Sequence, residues 1–364
     1  MAPTLSEAGQ NRGMTSADPS ATPEPPAASG APGSLGPAAR DRAVGAVLGS
    51  AAGDALGAGY EFGPPLDDRV TVQMSGGGMF RWAPGEWTDD TSMAVPILAA
   101  LADGLDLAAE QTRDRIVAEW VGWARTAPDV GTQTREVFGT MSAAVAELGP
   151  GAAEPTPTAA AARVAARIVH DRHGRSAGNG SLMRTGPVAL AYLGDGGEDA
   201  LAAVARALSD LTHTETDAGD ACVLWSLAIR HAIRTGDADA RVGLPRLPDE
   251  RRELWAARLD DAETRMPRHF AKNGWVVEAL QSAWAAITAS RGDDGRVDLR
   301  RALELAVRGG NDTDTVAAIA GSLAGASAGA SALPDEWVAV LHGWPDLDAA
   351  GLRALADRAL ATAE

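Results

Sequence analysis

Two short stretches place acids and hydroxyls together in a way that can do chemistry. "GEWTDDTSM" sets Thr88, Asp89, Asp90 and Thr91 at the head of an apolar run carrying Met93, Ile97, Leu98 and Leu101. "GGNDTDT" sets Asn311, Asp312, Asp314 and Thr315 ahead of the small-residue run "VAAIAGSLAGASAG". One acidic residue is enough to cap a helix and to favour its positive end, so the second acid of each pair needs another reason. Carboxylates crowded at one place repel one another unless a proton or a cation intervenes. Two such groups from distant parts of the chain make an all-oxygen cage, which suits Mg²⁺ or Mn²⁺. The single cysteine, Cys222, and the lack of a nearby histidine argue against zinc. Asp89, Asp90, Asp312 and Asp314 can bridge two ions roughly 3.5 to 4 Å apart, with Thr88 and Thr315 completing the shells.

Two further segments suit an anionic ligand. "SAGNGSLMRTGP" offers Gly178, Gly180 and Ser181 in a loop whose amides can point at phosphate oxygens, although such a loop can equally be a plain helix connection. His213, in "LTHTETDAGD", precedes a long helical stretch; a lone histidine there is more often a structural hydrogen bonder than a catalyst. Phe80, Trp82 and Trp87 can stack on a base or a leaving group, or simply pack.

The elements that must position these residues read as helices. From Arg42 onward apolar residues recur three and four apart, as in Val44, Val47, Leu48, Ala51, Ala55 and Leu56. Helices are expected near Asp90 to Gly104, Ala108 to Thr126, Arg135 to Leu148, Ala159 to His170, Pro187 to Leu193, Glu198 to Leu211 and Thr216 to Thr235. Only "RVTVQM", Arg69 to Met74, reads as strand, and "DADARVGLPRLPDERR" reads as a turn-rich surface insertion. The expectation is an all-α fold with one domain over residues 41–364, after a Pro/Ala/Gly-rich disordered tail at 1–40.

Composition narrows the class. The 364 residues carry a formal net charge of −17, which disfavours a nucleic-acid partner. With one cysteine no internal disulfide can form, which fits a reducing cytoplasm. The sequence shows neither a secretory signal nor an apolar run long enough to span a membrane, so a cytoplasmic protein with no membrane partner, and a monomer, is expected.

Taken in order, "GSAAGDALGAGYEFG", "GEWTDDTSM", "GNGSLMRTGP", "LTH" and "GGNDTDT" resemble the ADP-ribosylglycohydrolase family, which includes dinitrogenase-reductase-activating glycohydrolases and ADP-ribosylarginine and ADP-ribosylserine hydrolases. The resemblance runs from about Arg42 to Ala328 and leaves out the insertion near Arg241 to Arg252. It implies a compact helical bundle with two Mg²⁺ or Mn²⁺ ions at the base of a cleft. Thr88, Asp89, Asp90, Asp312, Asp314 and Thr315 would be ligands, Asp314 also acting in catalysis. Gly178, Asn179, Gly180, Ser181 and Met183 would hold the diphosphate and proximal ribose, His213 would lie beside the ligand, and Gly310 and Asn311 would approach the distal ribose. The catalytic carboxylate is Asp129, in "PDVGTQTRE", or Glu61, in "GYEFG", with Asp129 ranked first by its surroundings; otherwise Asp129 is a helix cap and Glu61 a solvated charge.

The implied reaction is hydrolysis at C1″ of an ADP-ribosyl group on a protein or small molecule, releasing ADP-ribose. An arginine linkage is expected first, since a guanidinium suits an acidic protein. A serine, base or metabolite linkage, or a non-catalytic ADP-ribose-binding protein, stays open. A terpene synthase, which also holds Mg²⁺ with acidic helices, is disfavoured because "DDTSM" lacks a third acid and no second matching element occurs.

Overall fold

The helical periodicity is realised from Pro37 onward. The computed structural model describes residues 35–147 and 157–363, and the chain from Leu35 on behaves as one unit. Its main helices are α1 (Pro37–Gly57), α2 (Asp89–Ala102), α3 (Glu110–Ala124), α4 (Thr132–Glu147), α5 (Ala159–His173), α6 (Glu198–Ser209) and α7 (Thr216–Thr235). They are followed by α8 (Asp249–Glu263), α9 (Val276–Ala289), α10 (Leu299–Arg308), α11 (Thr313–Ala328), the single turn α12 (Asp335–Val338) and α13 (Ala349–Ala363). Among the described residues the only sheet is a two-stranded hairpin, His342–Gly343 with Leu347–Asp348. The all-α class holds.

Several local expectations change. Of the tail expected at 1–40, residues 1–34 lie outside the described residues, as does Leu148 at the end of the helix expected from Arg135. Helix α1 starts at Pro37, because proline at the first turn forfeits no hydrogen bond and the next residues favour helix. Arg69 to Met74 is not a strand. Its side chains do alternate, with Val72 and Met74 buried, but no second strand lies alongside. The Tyr60 hydroxyl takes that place, accepting from Gln73 N–H at 2.9 Å and donating to its carbonyl at 3.1 Å. The expected surface insertion instead packs on α7 through a 3-10 helix, Ala240–Arg246. A Cβ on Gly243 would lie 2.9 Å from Leu224 Cα, and Leu244 and Leu247 are buried.

The centre of the fold is the pair α1 and α11, and glycine explains how close they come. Gly45, Gly49 and Gly53 recur every fourth residue, on one face of α1. A Cβ added to them would come 2.3 Å from Gly325 O, 2.4 Å from Gly321 O and 2.0 Å from Ala317 O. The reverse is true of Gly321 and Gly325, where a Cβ would meet the carbonyls of Gly49 and Gly45 at 2.0 Å each. The two backbones are in direct contact, running antiparallel. The C-terminal turn of α1 therefore faces the N-terminal turn of α11, where Gly57 abuts Asp314 Cα at a would-be 2.4 Å and Thr313 Oγ1 donates to Gly57 O at 2.9 Å.

Gly53→Ala has no side chain to displace, only backbone, so it should destabilise by about 3 kcal/mol, the upper end for overpacking. Gly122→Ala on the exposed face of α3 meets nothing within 4 Å and should stabilise by about 0.5–1 kcal/mol. Urea denaturation of the two variants checks this; equal and small effects would show that the helices separate freely.

Candidate active site

The α1–α11 contact delivers Asp54 to the start of α2. Thr88 precedes that helix but makes no side-chain cap. The cap comes from elsewhere in the chain: fully buried Asp54 accepts the Thr88 N–H on Oδ1 at 2.9 Å, and the Thr91 N–H at 2.9 Å and hydroxyl at 2.6 Å on Oδ2. With the helix amides satisfied by α1, the acids of "TDDT" are released from capping. Thr88 Oγ1 then lies 3.0 Å from Asp90 Oδ2 and 3.4 Å from Asp314 Oδ2.

These carboxylates form two overlapping groups. Asp54, Asp90 and Asp314 offer oxygens within 4.8 Å of one another, and so do Glu61, Asp312 and Asp314. Asp314 belongs to both. Asp90 Oδ1 and Asp314 Oδ1 are buried and have no hydrogen-bond partner, a costly state for a carboxylate oxygen unless a cation or proton meets it. Burial, reinforced by Asp54 and Asp89, holds Asp90 well above the carboxylate range. Burial, then Glu61 and Asp90, does the same to Asp314. Burial with Asp312 and Asp129 beside it pushes Glu61 from 4.5 to about 9, and burial alone outweighs the hydrogen bonds of Asp54 to raise it from 3.8 to about 6. Every acid here moves the same way, as it must where only negative charge is assembled. The oxygen-only donor set with two orphaned oxygens fits a hard divalent ion.

Beside these acids opens a cleft of about 360 Å³ lined by Glu61, Asp89, Asp129, Asp312, Asp314 and Thr315. Gly178, Asn179, Gly180, Met183 and His213 line it too. Asp129 is raised by burial and then by Asp312; its loop is tethered where Gly131 N–H donates to Asp89 Oδ2 at 3.2 Å. Asn179 Nδ2 donates to Asp312 Oδ2 at 2.8 Å and to Asn273 O at 2.9 Å, joining the glycine loop to the acids.

The glycines of "GNGS" are required by packing as much as by any ligand. A Cβ on Gly180 would lie 3.1 Å from His213 Cε1, and one on Gly178 3.2 Å from its Nε2. Burial, with the Arg184 guanidinium nearby, pushes His213 well below its usual range, so the imidazole is neutral. Its Nδ1 meets Thr212 Oγ1 at 2.7 Å, and that hydroxyl also accepts from Arg184 Nη2 at 2.7 Å. Arg184 itself is buried over the Trp120 ring at 4.1 Å. Beyond Gly178 and Gln133 a second chamber of about 480 Å³ opens, with Arg175, His173, Glu136 and Trp275 in its wall.

Some expected residues do not line the cleft. Ser181 is buried, its Oγ bonded to Ser209 Oγ at 2.9 Å with the Cys222 thiol at 3.5 Å, so its side chain belongs to the core. Gly310 and Asn311 form a backbone strap: Asn311 N–H donates to Gly63 O, and Phe62 N–H donates to Asn311 O, both at 2.7 Å. Thr88 and Asp90 are buried outside the cleft lining. Of the expected aromatic residues, Trp82 and Trp87 are buried, and Phe80 bridges from Trp82 to Phe62. Sequence reasoning missed Asp54, Phe62, Gln133, Arg184 and Asn273. Asp54, Phe62, Gln133 and Arg184 stood inside the quoted motifs; nothing in local spacing marked Asn273.

A family model described as ADP-ribosylglycohydrolase matches residues 35–364. The chain belongs to the ADP-ribosylglycohydrolase family. The match continues through the segment near Arg241 to Arg252 and past Ala328, where the motif resemblance stopped. Among curated relatives, ADP-ribosyl-[dinitrogen reductase] glycohydrolase of Rhodospirillum rubrum is 31% identical, over 84% of this chain and 92% of its own. ADP-ribosylarginine hydrolase Tri1 of Pseudomonas putida (strain GB-1) is 30% identical, over 82% and 74%. A solved ADP-ribosylglycohydrolase-related protein complex superposes with a TM-score of 0.65 at 29% identity, covering 90% of this chain and 99% of that one. This ADP-ribosylglycohydrolase is thus an enzyme of ADP-ribosyl hydrolysis. Among its described residues no helix is long and apolar enough to cross a membrane.

The raised acids fix a sign for pH dependence. Between the ordinary and the folded values, for Asp54 between 3.8 and about 6 and for Glu61 between 4.5 and about 9, the folded chain holds protons that the unfolded chain has released. Their stabilisation is full below the ordinary values and is lost as pH rises through the folded ones. In EDTA the Tm should fall from pH 5 to pH 9, and Glu61→Gln should flatten the upper part of that decline. Thermal melts across this range decide it; a Tm that rises with pH would refute the assignment.

Proposed function

We propose that this enzyme is a metal-dependent hydrolase that removes ADP-ribose from ADP-ribosyl-arginine. The observation that carries the reading is the pair of buried, unpartnered oxygens on Asp90 and Asp314, beside an acidic cleft also lined by glycines and neutral His213. Two Mg²⁺ or Mn²⁺ ions would be held by the two carboxylate groups, Asp54, Asp90 and Asp314 in one and Glu61, Asp312 and Asp314 in the other, with Thr88, Asp89 and Thr315 as further ligands. When bound, such ions orient ribose hydroxyls and lower the pKa of water. The arginine linkage is supported by the likeness to the ADP-ribosylarginine hydrolases Tri1 of Pseudomonas putida (strain GB-1) and Serratia proteamaculans (strain 568).

The chain's own residues complete the chemistry. The anionic diphosphate goes to the Gly178–Gly180 end, next to the chamber containing Arg175, which places the distal ribose over the acids. As the C1″–N bond breaks, its electron pair stays on the guanidine nitrogen, which ends protonated, and the ribose gains oxocarbenium character that the carboxylates stabilise. Water oxygen bonds to C1″ and yields its proton to Asp129, which passes it to the departing guanidine nitrogen. Asp129 is assigned as base over Glu61 because it lines the cleft outside both carboxylate groups, whereas Glu61 sits within one. Neutral His213 offers Nε2 to the ligand, and Gln133 anchors the loop through Ser176 O and Thr212 O.

Release of free ADP-ribose from an ADP-ribosyl-arginine peptide, with an ADP-ribosyl-serine peptide alongside, tests this. Release should vanish in EDTA and in Asp314→Ala. Asp129→Asn should lower kcat about 100-fold or more, equivalent to about 2.7 kcal/mol, while ADP-ribose binding persists. Release that survives EDTA, or a preference for the serine linkage, would overturn the proposal.

A further inference from the structure

We infer that Phe62 is a shelf for the leaving group, which makes the cleft prefer a planar cation, the guanidinium of arginine, over a neutral group. The inference rests on the hydrolase reading above and adds a residue that selects the linkage.

Three observations converge on this ring. First, Phe62 holds φ at +61°, a left-handed conformation that is a genuine outlier for a bulky residue. It is kept there by the Asn311 strap, through the two 2.7 Å hydrogen bonds that flank it. Asn311, at φ +63°, is left-handed too. Second, the residue is 59% exposed, so burial does not offset the strain. Strain held by surrounding structure and uncompensated by packing is characteristic of functional positions. Third, Phe62 lines the cleft directly after Glu61 and together with Asp129, Asp312 and Asp314. It is propped from behind, edge-on to Phe80 at 6.4 Å, and Phe80 in turn lies 6.0 Å from buried Trp82. An aromatic ladder rooted in the core thus ends at the mouth of the site.

The direction of the substrate follows from charge. With the diphosphate at the glycine end, C1″ lies over the acids, and whatever leaves C1″ departs on the side of Glu61 and Phe62, with Asp129 lining the same cleft. A ring face beside carboxylates attracts a guanidinium by its quadrupole and by charge together. A serine hydroxyl gains nothing from it.

The test uses the metal-loaded full chain and compares wild type, Phe62→Leu and Phe62→Trp by kcat/KM on the arginine-linked and serine-linked peptides, with the Kd of ADP-ribose measured separately. Phe62→Leu should lose about 5- to 30-fold on the arginine linkage, with the serine linkage and the ADP-ribose Kd changed less than about twofold; Phe62→Trp should restore the arginine value. If wild type cleaves only the arginine linkage, the loss in leucine, its recovery in tryptophan and the constant Kd carry the same meaning. No loss, an equal loss on both linkages, or a weakened ADP-ribose Kd would overturn the role of Phe62 and leave the hydrolase reading intact. Wild type releasing nothing from either peptide, or preferring serine, would overturn both.

Discussion

Everything at the site depends on the backbone contact between α1 and α11. Glycines at every fourth position of α1, facing Gly321 and Gly325, let two helices meet without side chains between them. The consequence is positional: Asp54 at the end of one helix and Asp314 at the start of the other are held against the first turn of α2. A methyl group on that seam would push the helices apart and move carboxylates whose interaction is set by ångströms. A seam of bare helix backbone therefore fixes the carboxylates of the site.

The charged part is assembled at a cost in free energy. Six or more carboxyl groups share a region with little compensating positive charge, and the buried cation nearest them, Arg184, is committed to Thr212 and the Trp120 ring. Hydrogen bonds relieve some members: the α2 amides for Asp54, Asn179 for Asp312, Gly131 for Asp89. They leave Asp90 Oδ1 and Asp314 Oδ1 with none. Acidic residues left in this state could hold a cation.

The cleft brings unlike groups together. Carboxylates line it alongside the glycines of the Gly178–Gly180 loop and neutral His213. Asn179 and Asn273 tie that loop to the start of α11 through amide hydrogen bonds to Asp312 and Gly310.

Sequence alone determined the helical class and the sites of charge. Apolar spacing of three and four requires helices wherever the chain must bury a face, and the doubled acids of "TDDT" and "DTDT" exceeded what capping needs. The glycine spacing in α1 was equally present, yet its meaning required the partner helix. Tertiary structure decided the rest. Asp54 became the cap of α2, and Ser181, for all its place in a glycine loop, turned to Ser209 in the core. Gly310 and Asn311 became a strap, Val72 and Met74 alternated without a strand partner, and an exposed phenylalanine was fixed beside Glu61. The reason is common to all of these: a hydrogen-bond partner or a backbone contact from a distant segment is chosen through space, and local spacing carries no record of which segment arrives.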